Sequence, residues 1–524
     1  MPMRLRLVEV LVASVLLAPP YAIAADDDSS FVLISSATIH LAPAWVGVAR
    51  AQVAARDLLQ AELWRKGVRN WRMGSRGERD LCVARGPLCI HLIRARNHAE
   101  TARACGNVTA NQATVASEES FALCVSPQNV TVTAHTSRGL MLAVGRLVRE
   151  LRVQNPRNGS GHVTLVPADL QLFVAPPPWA AMRGHQLTDW GFYMTDAAFE
   201  QFVKDLIVFG TNQIEFAHIT YSRGDANSLV RFSNICDKYG VYVSVFQPDW
   251  PSNITEAVFA TMKRIDAVLH EGGGGPVTRL QQRSRSESVP SSAIVQSVLP
   301  YLESVAAAVR RHHPNATVWW SPAGETAAWM DAWYAALETT AVKQWLTGVS
   351  WGPVILGSET QMLARLPPEY KVRLYPDICH TLTAMYPVPD WSFIWANTHG
   401  RQVVNPLPRH YADVIAMNTN ASLRQRTVGF GGYSEGAADD FNKALWSALY
   451  MEPGLSVDSL TAQYGRHFLQ PVSETRRDVA KTDELYKATS PEDGDGAALL
   501  YGLEANWVGD ARTNSQVRLL ALTI

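Results

Sequence analysis

Past residue 178 the chain alternates short apolar runs with amphipathic stretches, and that alternation organises the whole reading. Eight runs have the length and the β-branched or aromatic content of strands: 182–187, 212–216, 241–246, 265–270, 317–320, 346–351, 372–376 and 428–433. Helical spacing fills most gaps between them, as at 197–209 and 293–311. Strand–helix alternation on this scale predicts an α/β fold with a closed parallel (β/α)8 barrel over residues 178–450. Residues 25–177 carry a different pattern. Runs at 31–34, 88–93 and 130–134 read as strands. Val53, Leu58, Leu59 and Leu63 share one face of a helix over 49–65, and Leu140, Leu142, Ala143, Leu147 and Leu151 line one side of another. This is a small α/β domain, and Ala175-Pro176-Pro177-Pro178 is the stiff linker that ends it. From 451 to 524 the spacing is helical, over 456–468, 474–487 and 511–522. An ending inside a helical run is compatible with an incomplete C-terminal region.

The first residues read as a targeting signal. Arg4 and Arg6 precede an apolar run, Leu7 to Leu17, interrupted by Glu9, and Ala22-Ile23-Ala24 has the small–x–small form of a cleavage site. Residues 1–24 are therefore expected to be a signal peptide, with a retained anchor as the alternative. No later run is read as a membrane span, so stable membrane insertion is not expected. Six Asn-x-Ser/Thr sequons follow, at Asn107, Asn129, Asn158, Asn253, Asn315 and Asn420. Together they indicate a secretory glycoprotein, secreted or held in a lysosome-like lumen. Four of the six cysteines cluster at Cys82, Cys89, Cys105 and Cys124. Three pairings are possible, and the short loops favour Cys82–Cys89 with Cys105–Cys124. Cys236 and Cys379 are expected as buried thiols.

Composition narrows the partners. Net charge is −1 over 524 residues, which gives no electrostatic basis for binding nucleic acid or an anionic membrane. The 16 Trp and 16 Tyr suit a carbohydrate substrate, because flat aromatic faces pack against the C–H faces of sugar rings. No Cys-x-x-Cys or His-rich zinc spacing is present, and Gly272 to Gly275 lacks the Lys-Ser/Thr of a phosphate loop, so neither metal nor cofactor is expected.

A barrel of this kind builds its active site at the C-terminal ends of its strands. Polar, acidic and aromatic residues recur there: Arg183, His185 and Gln186, then Asn212 and Glu215, then His270 and Glu271. Trp320, Trp351, Asp377, His380, Trp391, Tyr433 and Glu435 continue the series. Glycoside hydrolysis uses two carboxyl groups, one to protonate the leaving oxygen and one to attack or to activate water. Glu435 and Glu271 are the preferred pair, since each closely follows a strand and precedes Gly. Glu215 and Asp377 compete for either role, and Glu215 also reads as a buried salt-bridge partner of Arg183. His270 and His380 read equally as hydrogen-bond donors to sugar hydroxyls or as satisfied core residues. Trp320, Trp351 and Trp391 are candidate apolar walls for a sugar ring.

Several local stretches carry a resemblance. Gly139-Leu140 and Gly145-Arg146-Leu147 in the first domain's last helix, followed by Arg183-Gly184 opening the first barrel strand, resemble the family 20 β-N-acetylhexosaminidases and the α-glucuronidases. Arg183-Gly184-His185-Gln186, Phe209-Gly210-Thr211-Asn212, Tyr375-Pro376-Asp377-Ile378-Cys379-His380 and Tyr433-Ser434-Glu435-Gly436 look like a set of hexosaminidase-like proteins. The resemblance implies a hexosaminidase-type α/β domain, a catalytic TIM barrel and an exo-acting glycosidase working on glycan termini. Family 20 enzymes place an adjacent Asp-Glu pair after the fourth strand. Here the pair is His270-Glu271, so Glu271 takes the position of the acid while His270 stands where a carboxylate orients the acetamido group. A glycan-binding protein that keeps the pocket without the chemistry is the alternative.

Overall fold

The structure is a computed structural model. It describes residues 31–34, 36–41, 49–66, 68, 70–73, 88–105, 117–127, 129–154, 163–188, 194–217, 223–246, 252–271, 290–322, 326–352, 355, 357–379, 408–434 and 439–469. The signal peptide, Cys82, Asn107, Asn158, Gly272 to Gly275, His380, Trp391, Glu435 and the helices expected beyond 469 lie outside the described residues.

Among the described residues the N-terminal unit holds nine strands: β1 (Phe31–Ile34), β2 (Ser36–Leu41), β3 (Asn70–Met73), β4 (Leu88–Arg94), β5 (Phe121–Val125), β6 (Asn129–Ala134), β7 (Arg152–Gln154), β8 (Val163–Pro167) and β9 (Gln171–Val174). Six of them form a mixed sheet in the order β3-β2-β4-β6-β5-β9; β1, β8 and β7 form a small antiparallel one. Helix Ser137–Glu150 starts where the Thr136 side chain accepts the Gly139 N–H, satisfying one of the unpaired donors of the first turn. Its apolar residues pack with those of Ala49–Arg65 into the core. A disulfide joins Cys105 to Cys124 on β5, as the spacing predicts, and Cys89 on β4 is also disulfide-bonded. Cys236 is a buried free thiol. Asn315 and Asn420 are exposed, whereas Asn129 is half-buried and accepts a bond from the His91 ring at 3.0 Å.

The barrel follows. Its strands are β10 (Met182–Leu187), β11 (Gln213–Phe216), β12 (Tyr242–Phe246), β13 (Ala267–Glu271), β14 (Thr317–Ser321), β15 (Gly348–Trp351), β16 (Lys371–Leu374) and β18 (Thr427–Ser434), with the short β17 (Asp377–Cys379) beside the end of β18. Every neighbouring pair is parallel, and β10 pairs with β18 to close the ring. All eight expected strands are present, within a few residues of their expected limits. Where the register of β16 on β18 slips, Gly429 has φ +127°, a conformation that side chains avoid.

Alternate residues divide the wall. One set faces helices and joins the large apolar core; the other encloses a small inner cluster of Ala217, Phe246, Ala267, Leu269, Trp319, Tyr375 and Tyr433. Helix Asp440–Met451 packs on β10, and Val457–Tyr464 continues as a wider π-helical turn, Gly465–Leu469, that reaches the N-terminal unit. Helix Ser291–His312 is long and apolar enough to cross a membrane by length and composition, which the reading of the chain did not find. In the fold Ile294, Val298, Leu302, Val305 and Val309 are buried against neighbouring elements.

Candidate active site

The inner face of the barrel is polar beneath its mouth. Glu215, pointing in from β11, is held by three donors. Arg373 on β16 donates from Nη1 to its Oε2 at 2.6 Å, Ser244 on β12 donates to the same oxygen at 2.8 Å, and Gln186 on β10 donates to Oε1 at 3.3 Å. The Gln186 amide also bonds the Tyr375 hydroxyl. Both members of the Arg373–Glu215 ion pair are fully enclosed. Arg373 fits because Gly431 lies beneath it: a Cβ there would sit 1.5 Å from Nη2. The reading of Glu215 as a buried salt-bridge partner holds, but its cation is Arg373 and not Arg183. The sequence gives no signal for Arg373, since a strand Arg with its neighbours Val372 and Leu374 looks like any edge position.

Above this floor are aromatic walls. Tyr375 stands edge-on to Tyr433, with ring centroids 5.6 Å apart, and stacks beside Phe246 at 6.5 Å. Burial, followed by the negative charges of Glu215 and Glu271, pushes the Tyr375 hydroxyl well above its ordinary range, so it stays protonated. That influence puts Glu271 near Tyr375. Glu271 ends β13, half-buried, opposite Ser321 and two residues beyond the inward Leu269. A carboxyl so placed is reachable from the mouth. Several polar atoms of the floor have no hydrogen-bond partner among the described residues: Arg373 Nε and Nη2, Ser350 Oγ and Gln186 Oε1.

The other expected site residues go elsewhere. Arg183 is fully enclosed and points outward, donating to the Glu119 carboxylate of the N-terminal unit and to the Gly210 and Ala180 carbonyls. Asn212 donates to Glu119 at 2.8 Å and to the Ala181 carbonyl at 2.7 Å. These two tie the domains together. His185 bonds Ser447 at 2.8 Å on the outer side, and burial keeps its ring neutral. His270 alternates with Glu271 and faces the helix Ser291–His312, its ring 6.1 Å from Tyr301; burial lowers its pKa to about 4. Trp320 packs on Trp333, with centroids 5.9 Å apart, and Trp351 also joins the outer core. Neither lines the interior. Trp319 does, and strand alternation from Ser321 would have found it. Asp377 pairs with Tyr433 through the backbone; its side chain is not among those described. Among the described residues no group of three His, Cys, Asp or Glu could hold a metal ion.

No family model matches the sequence, and no curated protein does. Solved structures do match the fold. A GH20 exo-β-N-acetylglucosaminidase from Vibrio harveyi, in complex with N-acetylglucosamine, superposes with a TM-score of 0.54 at 11% identity, covering 89% of this chain and 77% of the other. A GH138 enzyme targeting pectin rhamnogalacturonan II superposes with a TM-score of 0.52 at 10% identity, covering 89% and 70%. At these identities the likeness is one of fold: an N-terminal α/β unit followed by a (β/α)8 barrel.

Proposed function

We propose that this protein is a glycoside hydrolase acting on glycan termini, with Glu271 as general acid and Glu435 as its partner carboxylate. The observation that carries the reading is the setting of Glu271: a half-buried carboxyl at a strand end, inward-facing, beside Tyr375 and above a buried polar floor. A general acid needs access to a leaving oxygen, and a half-buried carboxyl at the end of a barrel strand has it. Tyr433, one strand position before Ser434, offers a ring to the sugar's apolar face, and Glu435 follows directly. The basic–apolar N-terminus and the sequons support a secreted protein. Because one relative in fold is an exo-β-N-acetylglucosaminidase, terminal hexosaminides are the first substrates to try.

The test uses purified protein and a panel of aryl glycosides with good and poor leaving groups. Glu271→Gln should cost about 10²–10⁴-fold on poor leaving groups and much less on good ones, because only the former need a proton. Glu435→Gln should lower both alike. Activity untouched by either substitution sinks the assignment.

One observation favours a second reading, a glycan-binding protein without turnover. His270 is buried, outward-facing and neutral, so it cannot orient an acetamido group as the carboxylate at that position does in the family the sequence resembles. Binding on a glycan array with no hydrolysis across the panel would select it.

A further inference from the structure

By sequence the six sequons are alike, but the fold separates them. Of the sequon asparagines whose side chains are described, Asn315 and Asn420 are exposed and Asn129 is half-buried. Asn315 lies in the turn from helix Ser291–His312 to β14. Asn420 lies between the helices Pro408–Asn418 and Ala421–Arg424, which lead into β18. Both connections enter a strand, so both stand at the N-terminal end of the barrel, opposite the mouth. An oligosaccharide there leaves the mouth clear. Asn129 is placed differently. It opens β6 straight after the turn from β5, where its N–H donates to the Ser126 carbonyl at 3.3 Å and its Oδ1 accepts from the His91 ring at 3.0 Å. A local hairpin of this kind closes early in folding and takes Asn129 and Thr131 into the sheet.

The surroundings of Asn420 add a second observation. Its Oδ1 accepts the Leu423 N–H at 3.0 Å, capping the helix Ala421–Arg424. Its Nδ2 donates to the Met417 carbonyl at 2.9 Å, which takes one of the two amide hydrogens and leaves the other for substitution. Met417 is 63% exposed, one of two large apolar side chains exposed to this degree among the described residues. A single exposed apolar side chain is ordinary, but this one adjoins the atom to which a sugar would be joined. We propose that Asn315 and Asn420 carry N-linked oligosaccharides, that Asn129 does not, and that the first sugar on Asn420 covers Met417. The inference rests on the reading of the chain as a secreted protein. The co-reactant is a lipid-pyrophosphate-linked oligosaccharide of the secretory lumen, transferred by the host's enzyme. The bond from the sugar C1 to the pyrophosphate oxygen breaks, a bond from C1 to Nδ2 forms, and the displaced Nδ2 proton leaves with the lipid pyrophosphate. Thr317 and Ser422 supply the hydroxyls that complete the two sequons.

The experiment expresses the full chain in insect cells, once with its own N-terminus and once behind a heterologous signal peptide. Peptide N-glycosidase in 18O-labelled water converts each glycosylated Asn to a labelled Asp, and peptide mass spectrometry locates the label. Asn315 and Asn420 should be labelled and Asn129 should not. The placement over Met417 is read separately, by hydrogen peroxide oxidation of the native glycoprotein with the buried Met451 as internal reference. Ser422→Ala removes the second sequon from an exposed position and leaves the Asn420 cap in place. It should speed Met417 sulfoxide formation severalfold and leave Met451 unchanged. The proposal is overturned if either Asn315 or Asn420 stays unlabelled behind the heterologous signal peptide, if Asn129 is labelled, or if Met417 oxidises equally fast in both proteins. Label at both sites only behind the heterologous signal peptide would support the site assignment while sinking the reading of residues 1–24 as a signal peptide.

Discussion

Arg373 and Glu215 lie wholly inside the barrel, so each is the other's substitute for water. Breaking such a pair costs more than deleting it, because the survivor is a buried charge without compensation. Arg373→Met should therefore lower stability by about 3–5 kcal/mol, and adding Glu215→Gln should return much of it. Urea unfolding followed by circular dichroism measures both; a double variant no better than Arg373→Met would contradict the pairing. Gly431 makes the same point from the other side. A methyl group there would overlap the guanidinium, so Gly431→Ala should cost about 1–3 kcal/mol by forcing Arg373 out of its seat. An alanine variant with an unchanged urea midpoint would show that Arg373 has room to move.

Elements were far more legible than the directions of their side chains. All eight barrel strands and the helices at 49–65 and 137–150 could be read from apolar runs and helical spacing. Which residues of each strand face inward could not. A strand in a (β/α)8 barrel is buried on both sides, by helices without and by its fellow strands within, so it is apolar throughout and shows no alternation to read. Residues chosen for chemistry at strand ends therefore divided by parity. Gln186, Glu271 and Tyr433 face in; Arg183, His185, His270, Trp320 and Trp351 face out. Arg183 and Asn212 became a bridge to Glu119 for a reason no local pattern contains, namely that the N-terminal unit docks under β10 and β11. The parity assignment predicts a separation of effects. Trp320→Ala should cost about 3–5 kcal/mol through the cavity it leaves against Trp333, with kcat and KM of the folded fraction unchanged. Trp319→Ala, which opens the barrel interior, should change KM. Thermal unfolding and steady-state kinetics on both variants check the division, and a KM effect confined to Trp320→Ala would reverse it.

The molecule as a whole encloses several groups that ionise near neutrality, and their shifts share a sign. His185, His270 and His467 are all held below the ordinary value for histidine by burial, His270 at about 4. Lys66, beside Arg65 and Arg466 where the N-terminal unit meets the C-terminal helices, is lowered by burial from 10.5 to about 7. In each case the unfolded chain binds a proton at a pH where the folded chain does not. For the histidines the folded and unfolded forms are both neutral above pH 6.5. As pH falls from there towards 4, protonation of the unfolded chain draws the equilibrium away from the fold, by up to about 1.4 kcal/mol per group per pH unit. Lys66 acts in a higher window: its neutral folded form favours the fold fully above 10.5, and that contribution drains away as pH falls towards 7. The two windows adjoin, so the unfolding temperature should drop from pH 8 to acid conditions; above about pH 9 the buried Cys236 thiol, whose pKa burial raises, opposes the Lys66 effect. Differential scanning calorimetry at pH 8, 6.5, 5 and 4 reads the trend, and His270→Asn should flatten it only between 6.5 and 4. A midpoint that holds or rises between pH 6.5 and 5 would mean that the buried rings take up protons inside the fold.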